Sequence, residues 1–198
     1  MSHRTDELPP ASGLARIVRE LRYHELSRQL LAVVLLAVFA LTAAPLEPLV
    51  YVGLPVAAIG MLVRLHASGF VMKNKELATT GPYALMRHPL YTGNILLVGG
   101  FAIANSRWWA LPLSLAFFLF YYPPAIEYED RKLSRIFGQA WRTWSSQTPA
   151  LIPNLANAGH LFSGHWSFVK STKHNGEIVV AVYVVACMAW LAWRMNTT

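Results

Sequence analysis

Charged residues and cysteine are both scarce in this chain, and each scarcity excludes a class of protein. Only 14% of the 198 residues are charged, while 55% are hydrophobic and the mean hydropathy is +0.36. A soluble domain carries about 25% charged residues. The lone cysteine, Cys187, excludes an intrachain disulfide and a cysteine metal cluster. It also lies in an apolar run, where a thiol stays protonated and inert.

Two ligand-binding signatures are missing as well. No GxGxxG motif follows a strand-like segment, which argues against a Rossmann nucleotide site. The histidines near the C-terminus, at positions 160, 165 and 174, lack the i, i+4 and tight Cys/His spacings of metal sites. We therefore expect no bound metal.

Long apolar runs, in contrast, are abundant. Crossing a hydrocarbon core of about 30 Å takes roughly 20 helical residues. Five runs are candidates, at residues 30–44, 49–65, 94–105, 108–122 and 178–193. The sequence predicts an all-α integral membrane bundle of about five transmembrane helices with a cytoplasmic cofactor site. Proline at 123 and 124 should bend or end the fourth of these helices.

The distribution of the net charge of +7 indicates membrane topology rather than nucleic-acid binding. Arginine and lysine concentrate before residue 30, between residues 64 and 87, and after residue 130, whereas the opposite connections hold only Arg107 and Arg194. The positive-inside rule then places the N-terminus and the active site in the cytoplasm and the C-terminus outside. We expect the multi-pass chain to have membrane lipids as neighbours and no nucleic-acid partner.

The chain divides into four parts on this interpretation. Residues 1–29 form an N-terminal amphipathic helix, helical from 13 to 29, that lies along the lipid headgroups. Residues 30–153 form the membrane core. Residues 154–176 form a polar cytoplasmic loop. Residues 177–198 form a C-terminal transmembrane helix.

The segment 81–93, GPYALMRHPLYTG, carries the strongest functional signal. A polar, helix-breaking segment at a membrane edge is costly because its backbone groups need partners, and it usually lines a cavity. The alternative is a basic loop capped by proline and glycine and positioned by headgroups. A second polar segment, 126–153, faces the same compartment and contains Glu127, Glu129 and Asp130.

Arginine and glutamate facing each other suit a zwitterionic ligand. Arg87 could hold a carboxylate in a fork while a glutamate pairs with an ammonium. Tyrosine and proline offer flat surfaces for an aromatic ring. An amino acid joined to a nucleoside has all these parts, and S-adenosylmethionine is the commonest example.

An ordered set of motifs carries a family resemblance. LATTGPY at 77–83, RHPLYTG at 87–93, EDRKL at 129–133 and FGQAW at 137–141, followed by Trp144, Pro149 and Pro153, resemble the isoprenylcysteine carboxyl methyltransferases. That family belongs to a wider group of membrane methyltransferases that includes the phospholipid methyltransferases. The resemblance covers about half of the chain.

The resemblance implies S-adenosylmethionine as cofactor and a small hydrophobic or lipid-like molecule as methyl acceptor. Its motifs place the nucleoside wall at 75–78 and Tyr83, further cofactor contacts at 88–91, and the partner of the cofactor's amino group at Glu129. The implied cofactor-binding set is Lys75, Glu76, Leu77, Ala78, Tyr83, Arg87, His88, Pro89, Leu90, Tyr91 and Glu129, where Arg87 acts as carboxylate partner or structural brace. The catalytic residue is unassigned, with Arg87, His88 and Glu127 as candidates.

One departure from the family bears on the substrate. The prenylcysteine enzymes carry an arginine four residues before the cofactor-binding glutamate, where this chain has Ala125. Two other functions stay open. A membrane reductase of the sterol type would bind NADPH with a related Tyr-Gly turn, and a non-catalytic membrane protein could use the same fold.

Overall fold

The computed structural model describes residues 4–5, 8–72 and 75–197, and this part of the chain is helical with no strand. The all-α prediction is therefore confirmed. The α-helices are α1 (Gly13–Tyr23), α2 (Glu25–Leu41), α3 (Glu47–Ser68), α4 (Pro89–Asn105), α5 (Ala110–Gln147) and α6 (Glu177–Met195).

Helices α2 to α6 form an up-and-down bundle around one apolar core. Phe39, Phe101 and Leu191, from three different helices, are fully buried in this core. At one end of the bundle the buried Asn105 side chain donates to the Phe39 carbonyl oxygen over 2.7 Å. At the other end α3 finishes, α4 and α6 begin, and the polar half of α5 projects beyond the core. The candidate site lies at this second end.

Three helices are long and apolar enough to cross a membrane: α3, α5 and α6. A fourth span results if α1 and α2, which meet at a 69° bend, count as one broken span. Helix α4 has 17 residues, which at 1.5 Å per residue is about 26 Å. The predicted count of about five is thus approximate. The membrane orientation stays a prediction.

The first helix ends earlier than predicted. One helix was expected over 13–29, but α1 stops at Tyr23 and the chain turns by 69° before α2. The His24 ring causes the restart, because its Nδ1 accepts the Ser27 backbone N–H over 3.2 Å and caps α2.

The fourth helix does not end at Pro123 and Pro124, and a bend there stays a prediction. Helix α5 runs through both prolines and breaks instead at Gly138, whose φ is +53°. Proline at 124 lacks the N–H that would bond the Phe120 carbonyl oxygen. Arg22 of α1 fills that gap, donating from Nε to this oxygen over 3.0 Å. A residue 98 positions earlier therefore satisfies the carbonyl group that Pro124 leaves free.

Glycines let α3 and α4 pack backbone against backbone. A Cβ on Gly100 would lie 2.4 Å from the Ala57 nitrogen, and one on Gly60 would lie 2.5 Å from the Leu97 nitrogen. Small residues bring membrane helices together in this way. The two helices are therefore closely packed, and they fix both ends of the segment 69–88 that connects them.

Gly100→Ala should therefore destabilise the protein, whereas Gly99→Ala should not. The Gly100 methyl group would meet backbone atoms, which do not move aside as a flexible side chain does, and such overpacking costs about 1–3 kcal/mol. The matched Gly99 position has no atom within 4 Å of its Cβ. Thermal unfolding of both variants in the same detergent gives the comparison. Equal midpoints would contradict the close packing of α3 and α4.

The segment predicted as a polar loop, 154–176, contains two short helices. Leu155–His160 forms a 3₁₀ helix and Lys170–His174 a π-helix. The Asn154 side chain caps the first by accepting the Ala156 N–H over 3.1 Å.

Candidate functional site

Two polar segments that are distant in sequence meet at the site. The backbone N–H of Arg87 donates to the Pro149 carbonyl oxygen over 2.8 Å, and that of His88 donates to the Ala150 carbonyl oxygen over 3.0 Å. The Thr92 hydroxyl donates to the Leu151 carbonyl oxygen over 2.7 Å. The chain after α5 thus runs alongside the start of α4, and brings the two predicted segments together.

The turn before α4 has a conformation that its glycine and prolines favour. Gly81 has a φ of +61°, and a Cβ there would lie 2.6 Å from the Phe70 ring. Pro82 then starts the 3₁₀ helix Gly81–Ala84, and Pro89 occupies the first turn of α4. Proline suits a first helical turn because no N–H is required there. The geometry presents the Arg87 and His88 side chains to α5.

Asp130 of α5 is the centre of the site. Its Oδ2 accepts from Arg87 Nη2 over 2.9 Å, and its Oδ1 lies 2.9 Å from His88 Nε2. Burial alone would raise the pKa of this carboxyl, but the hydrogen bonds and charges of His88 and Arg87 outweigh that effect and lower it. Asp130 lies beyond the apolar first half of α5, residues 110–126, and is ionised at neutral pH.

The His88 ring is fixed from two sides. It is 5% exposed and stacks on Tyr91, with ring centroids 5.4 Å apart and planes inclined by 16°. Its second nitrogen, Nδ1, lies 3.8 Å from the Glu129 carboxylate, which also interacts with the Tyr91 hydroxyl. The Glu129 side chain remains 41% exposed. This carboxylate can therefore accept a further partner.

Arg87 acts as a brace in this structure. Besides Asp130, it donates from Nη1 to the carbonyl oxygens of Thr148, over 2.7 Å, and Ser145, over 3.3 Å. Only its Nε is buried without a partner. Of the two predicted roles the geometry favours structural brace, since the fork of the guanidinium already holds a carboxylate.

Tyr83 lies in a small apolar cluster beside this centre. It packs with Ala67 and Phe70, and Ala78, Leu90 and Trp144 surround the group. Trp144 Nε1 donates to the Tyr83 carbonyl oxygen over 3.3 Å. Burial, with the charges of Glu129 and Glu177, raises the pKa of the Tyr83 phenol. The phenol is therefore neutral at physiological pH.

The other sequence candidates lie further out. Lys75 and Glu76 are exposed and Leu77 is half-buried, and Glu76 forms an ion pair with Lys170. Glu127 faces α1, where it accepts from the Tyr23 hydroxyl over 2.8 Å and pairs with Arg131. It does not contact Arg87 or His88 in the hydrogen bonds described.

An open groove of about 960 Å³ runs along α5, passes Asp130 and continues to Ser134 and Arg135. Its apolar part is lined by residues such as Ile95, Phe118 and Leu119, and its polar end by Glu127, Asp130 and Arg131. The break at Gly138 turns the end of α5, and Trp141 beyond the break lines the same groove. The groove joins the apolar face of α5 to the region around Asp130.

Sequence reasoning did not assign a role to Asp130, although it stands next to Glu129. The sequence did offer a signal: two neighbouring acids, Glu129 and Asp130, lie in one polar segment, and the neighbouring Arg87 and His88 lie in the other. Asp130 contacts both of these basic residues. Among the described residues no group of three or more His, Cys, Asp or Glu side chains is arranged to hold a metal ion.

Comparison with known proteins places this region in a family. A family model described as phospholipid methyltransferase matches residues 50–140, which includes Arg87, His88, Glu129 and Asp130. Two curated relatives are a nickel-cobalt-cadmium resistance protein of Alcaligenes xylosoxydans xylosoxydans, 42% identical, and a cobalt-zinc-cadmium resistance protein of Cupriavidus metallidurans, 41% identical, each over 106 residues.

The aligned part is 52% of this chain and 48% or 47% of the relatives, so the chain spans about half their length. No solved structure matches. The resemblance drawn from the motifs is confirmed at the level of the family. Residues 50–140, a little under half of the chain, match the phospholipid methyltransferase family model.

Proposed function

We propose that this protein transfers a methyl group from S-adenosylmethionine to a hydrophobic or amphiphilic acceptor at the membrane interface. The observation that carries the proposal is the Arg87–Asp130–His88 centre beside an apolar groove. This centre lies within the part of the chain that matches the methyltransferase family. The family match supports the reaction class, and the groove supports the class of acceptor.

The residues present fit the proposed cofactor. Glu129 is partly exposed and has acceptor capacity for an ammonium group. Arg87 Nε is a buried donor without a partner, which suits an anionic or carbonyl oxygen. Tyr83, Leu90 and Tyr91 provide flat or apolar walls for a nucleoside, and Leu77 and Ala78 continue that wall. When bound, S-adenosylmethionine supplies a methyl group already activated by its sulfonium charge.

The protein's own part is positioning. Arg87 holds Asp130 and the strip after α5, while the Tyr91 stack holds His88. Holding two reactants in line can lower a barrier by up to about 7–11 kcal/mol. The groove admits the acceptor from the apolar side and brings it to Asp130.

Proton handling depends on the acceptor. A carboxylate attacks without losing a proton, whereas an ammonium or a thiol must first release one. Glu127 and Asp130 line the groove, and Arg87 and His88 do not. A proton from the acceptor would therefore reach His88 only through Asp130.

A prenylcysteine carboxylate is expected to be a poor acceptor. The position that holds an arginine in the prenylcysteine enzymes is Ala125, and it is 3% exposed. Ala125 is not among the residues that line the groove, whereas Arg131 and Arg135 are, so the expectation that a prenylcysteine carboxylate is a poor acceptor rests on the family pattern alone. The metal-resistance names of the two relatives do not lead us to propose a metal as substrate.

Calorimetry on the purified full chain in detergent tests the proposal. We expect heat on titration with S-adenosylmethionine or its demethylated product, with an affinity that chelators leave unchanged. Binding of NADPH, without heat from S-adenosylmethionine or its demethylated product, would favour a sterol-type reductase instead. The acceptor can then be sought by comparing lipids with and without the gene for a mass difference of one methyl group.

A further inference from the structure

Three aromatic side chains are exposed between α5 and α6, in the segment that the sequence identified as polar. Phe162 is 81% exposed, Phe168 61% and Trp166 45%. We call these three residues the aromatic patch. Exposed apolar side chains on the spanning helices are expected to face lipid, but this patch lies outside those helices. Several large apolar residues exposed together usually mark a contact surface.

The patch is held in place by the end of α3. Trp166 Nε1 donates to the Leu65 carbonyl oxygen over 3.3 Å, and the Ser167 N–H donates to the Gly69 carbonyl oxygen over 3.0 Å. The Trp166 ring lies where a Cβ on Gly69 would stand, 2.1 Å from its Nε1. Only glycine at position 69 permits this contact. The position of Trp166 within the patch is therefore fixed by its packing on α3.

Further bonds fix the segment on either side of the patch. His66 Nε2 lies 2.9 Å from the Leu161 carbonyl oxygen, and the His66 ring lies 5.3 Å from the Phe162 ring. The buried Ser68 and Ser171 hydroxyls are 2.7 Å apart. Every one of these anchors belongs to the last turn of α3 or to the cap that follows it.

The anchors determine the level of the patch relative to the bilayer. Helix α3 is a candidate membrane span that ends at Ser68, and α6 is another that begins at Glu177, three residues after the π-helix. The ends of spanning helices lie at the membrane–water boundary. A segment bonded to the last turn of α3 and leading into α6 lies at that boundary. Tryptophan and other aromatic residues favour this region.

Charge identifies the kind of surface that the patch faces. Residues 151–176 contain no aspartate or glutamate but do contain Lys170, Lys173 and three histidines. Lys170 pairs with Glu76, whereas Lys173 is exposed. Basic residues next to aromatic ones are the composition that binds anionic headgroups. We propose that the aromatic patch inserts into the headgroup region of an anionic lipid leaflet.

Insertion would also stabilise the wall of the candidate site. Gly164, between Phe162 and Trp166, packs on Thr80, since a Cβ there would lie 2.4 Å from the Thr80 hydroxyl oxygen. Thr80 directly precedes the turn that leads to Arg87 and His88. A lipid-held patch would therefore fix that turn from outside. This proposal does not depend on methyl transfer.

Site-specific fluorescence on the full chain tests the insertion. Phe162→Cys and Phe168→Cys, each combined with Cys187→Ala, would be labelled with a polarity-sensitive dye and reconstituted into vesicles. One vesicle set would be phosphatidylcholine and the other phosphatidylcholine with phosphatidylglycerol. Thr143→Cys in the same background provides a water-facing reference, because Thr143 is exposed on the charged end of α5.

We expect both patch labels to shift to the blue, to be quenched by nitroxide-bearing lipids and to be shielded from aqueous iodide. The shift should be larger with phosphatidylglycerol. The Thr143 label should stay accessible to iodide. Iodide access at both patch positions would overturn the proposal. Shielding without lipid quenching, together with a dimer by light scattering, would overturn it in favour of contact with a second copy. An equal shift in both vesicle types would overturn the preference for anionic lipid.

Discussion

Asp130→Asn is expected to destabilise the protein by on the order of 3 kcal/mol. The carboxylate is 19% exposed and holds both the Arg87 guanidinium and the His88 ring, each over 2.9 Å. Removing one partner of a buried pair leaves the other charge without compensation. The neutral amide offers only one oxygen, so it cannot accept from both Arg87 and His88 as the carboxylate does.

The control is Glu127→Gln, three residues earlier on the same helix. Glu127 is 44% exposed and pairs with Arg131 at the surface, where ion pairs contribute about 0–1 kcal/mol. Thermal unfolding of both variants in one detergent compares them directly. Equal losses of stability would contradict the central role of Asp130.

The pH dependence of stability gives an independent test of the same centre. The folded protein lowers the pKa of the Asp130 carboxyl. Its contribution is therefore fully present above the ordinary aspartate pKa of about 3.9, and is lost as the pH falls through the lowered folded value. The asparagine variant should lack this part of the acid dependence. If the asparagine variant and the unmodified protein lost stability equally as the pH falls, that result would argue against the ion pair.

Much of this site could be predicted from the order of motifs. The glycine and prolines of 81–89 predict a turn, and a polar segment facing it predicts contact, which the hydrogen bond from the Arg87 N–H to Pro149 confirms. The role of Asp130 was missed because adjacent acids look alike in a sequence. On a helix, however, neighbouring residues point about 100° apart, so Glu127, Glu129 and Asp130 meet different partners.

Other errors came from contacts over long sequence separations. The helix does not end at Pro123 and Pro124, and Arg22 satisfies the carbonyl oxygen that Pro124 leaves free. The segment 154–176 appeared polar from its composition, but bonds to the last turn of α3 hold three aromatic rings at its surface. Neither contact leaves a periodic pattern in the sequence. The local sequence therefore indicated where helices form, whereas contacts between distant residues determined where the helices end and which side chains are exposed.

Glu129→Gln should weaken binding of S-adenosylmethionine by roughly tenfold to 150-fold, if the proposed cofactor site is correct. Removing a hydrogen bond to a charged group costs about 1.5–3 kcal/mol, which corresponds to that range of affinity. Glu129 lies 3.8 Å from His88 Nδ1 and remains partly exposed, so an ammonium group could reach it. Glutamine has the same shape but no charge.

Glu127→Gln is again the matched control, because the two glutamates have similar exposure, 44% and 41%, but different partners. Glu127 bonds Tyr23 on the α1 side, whereas Glu129 faces His88 and Tyr91. The affinity of the Glu127 variant should therefore stay close to that of the unmodified protein. Calorimetric titration of each variant, with unfolding measured alongside, separates lost binding from lost folding. Equal weakening in both variants would mean that the cofactor's amino group does not bind on the His88 side of α5.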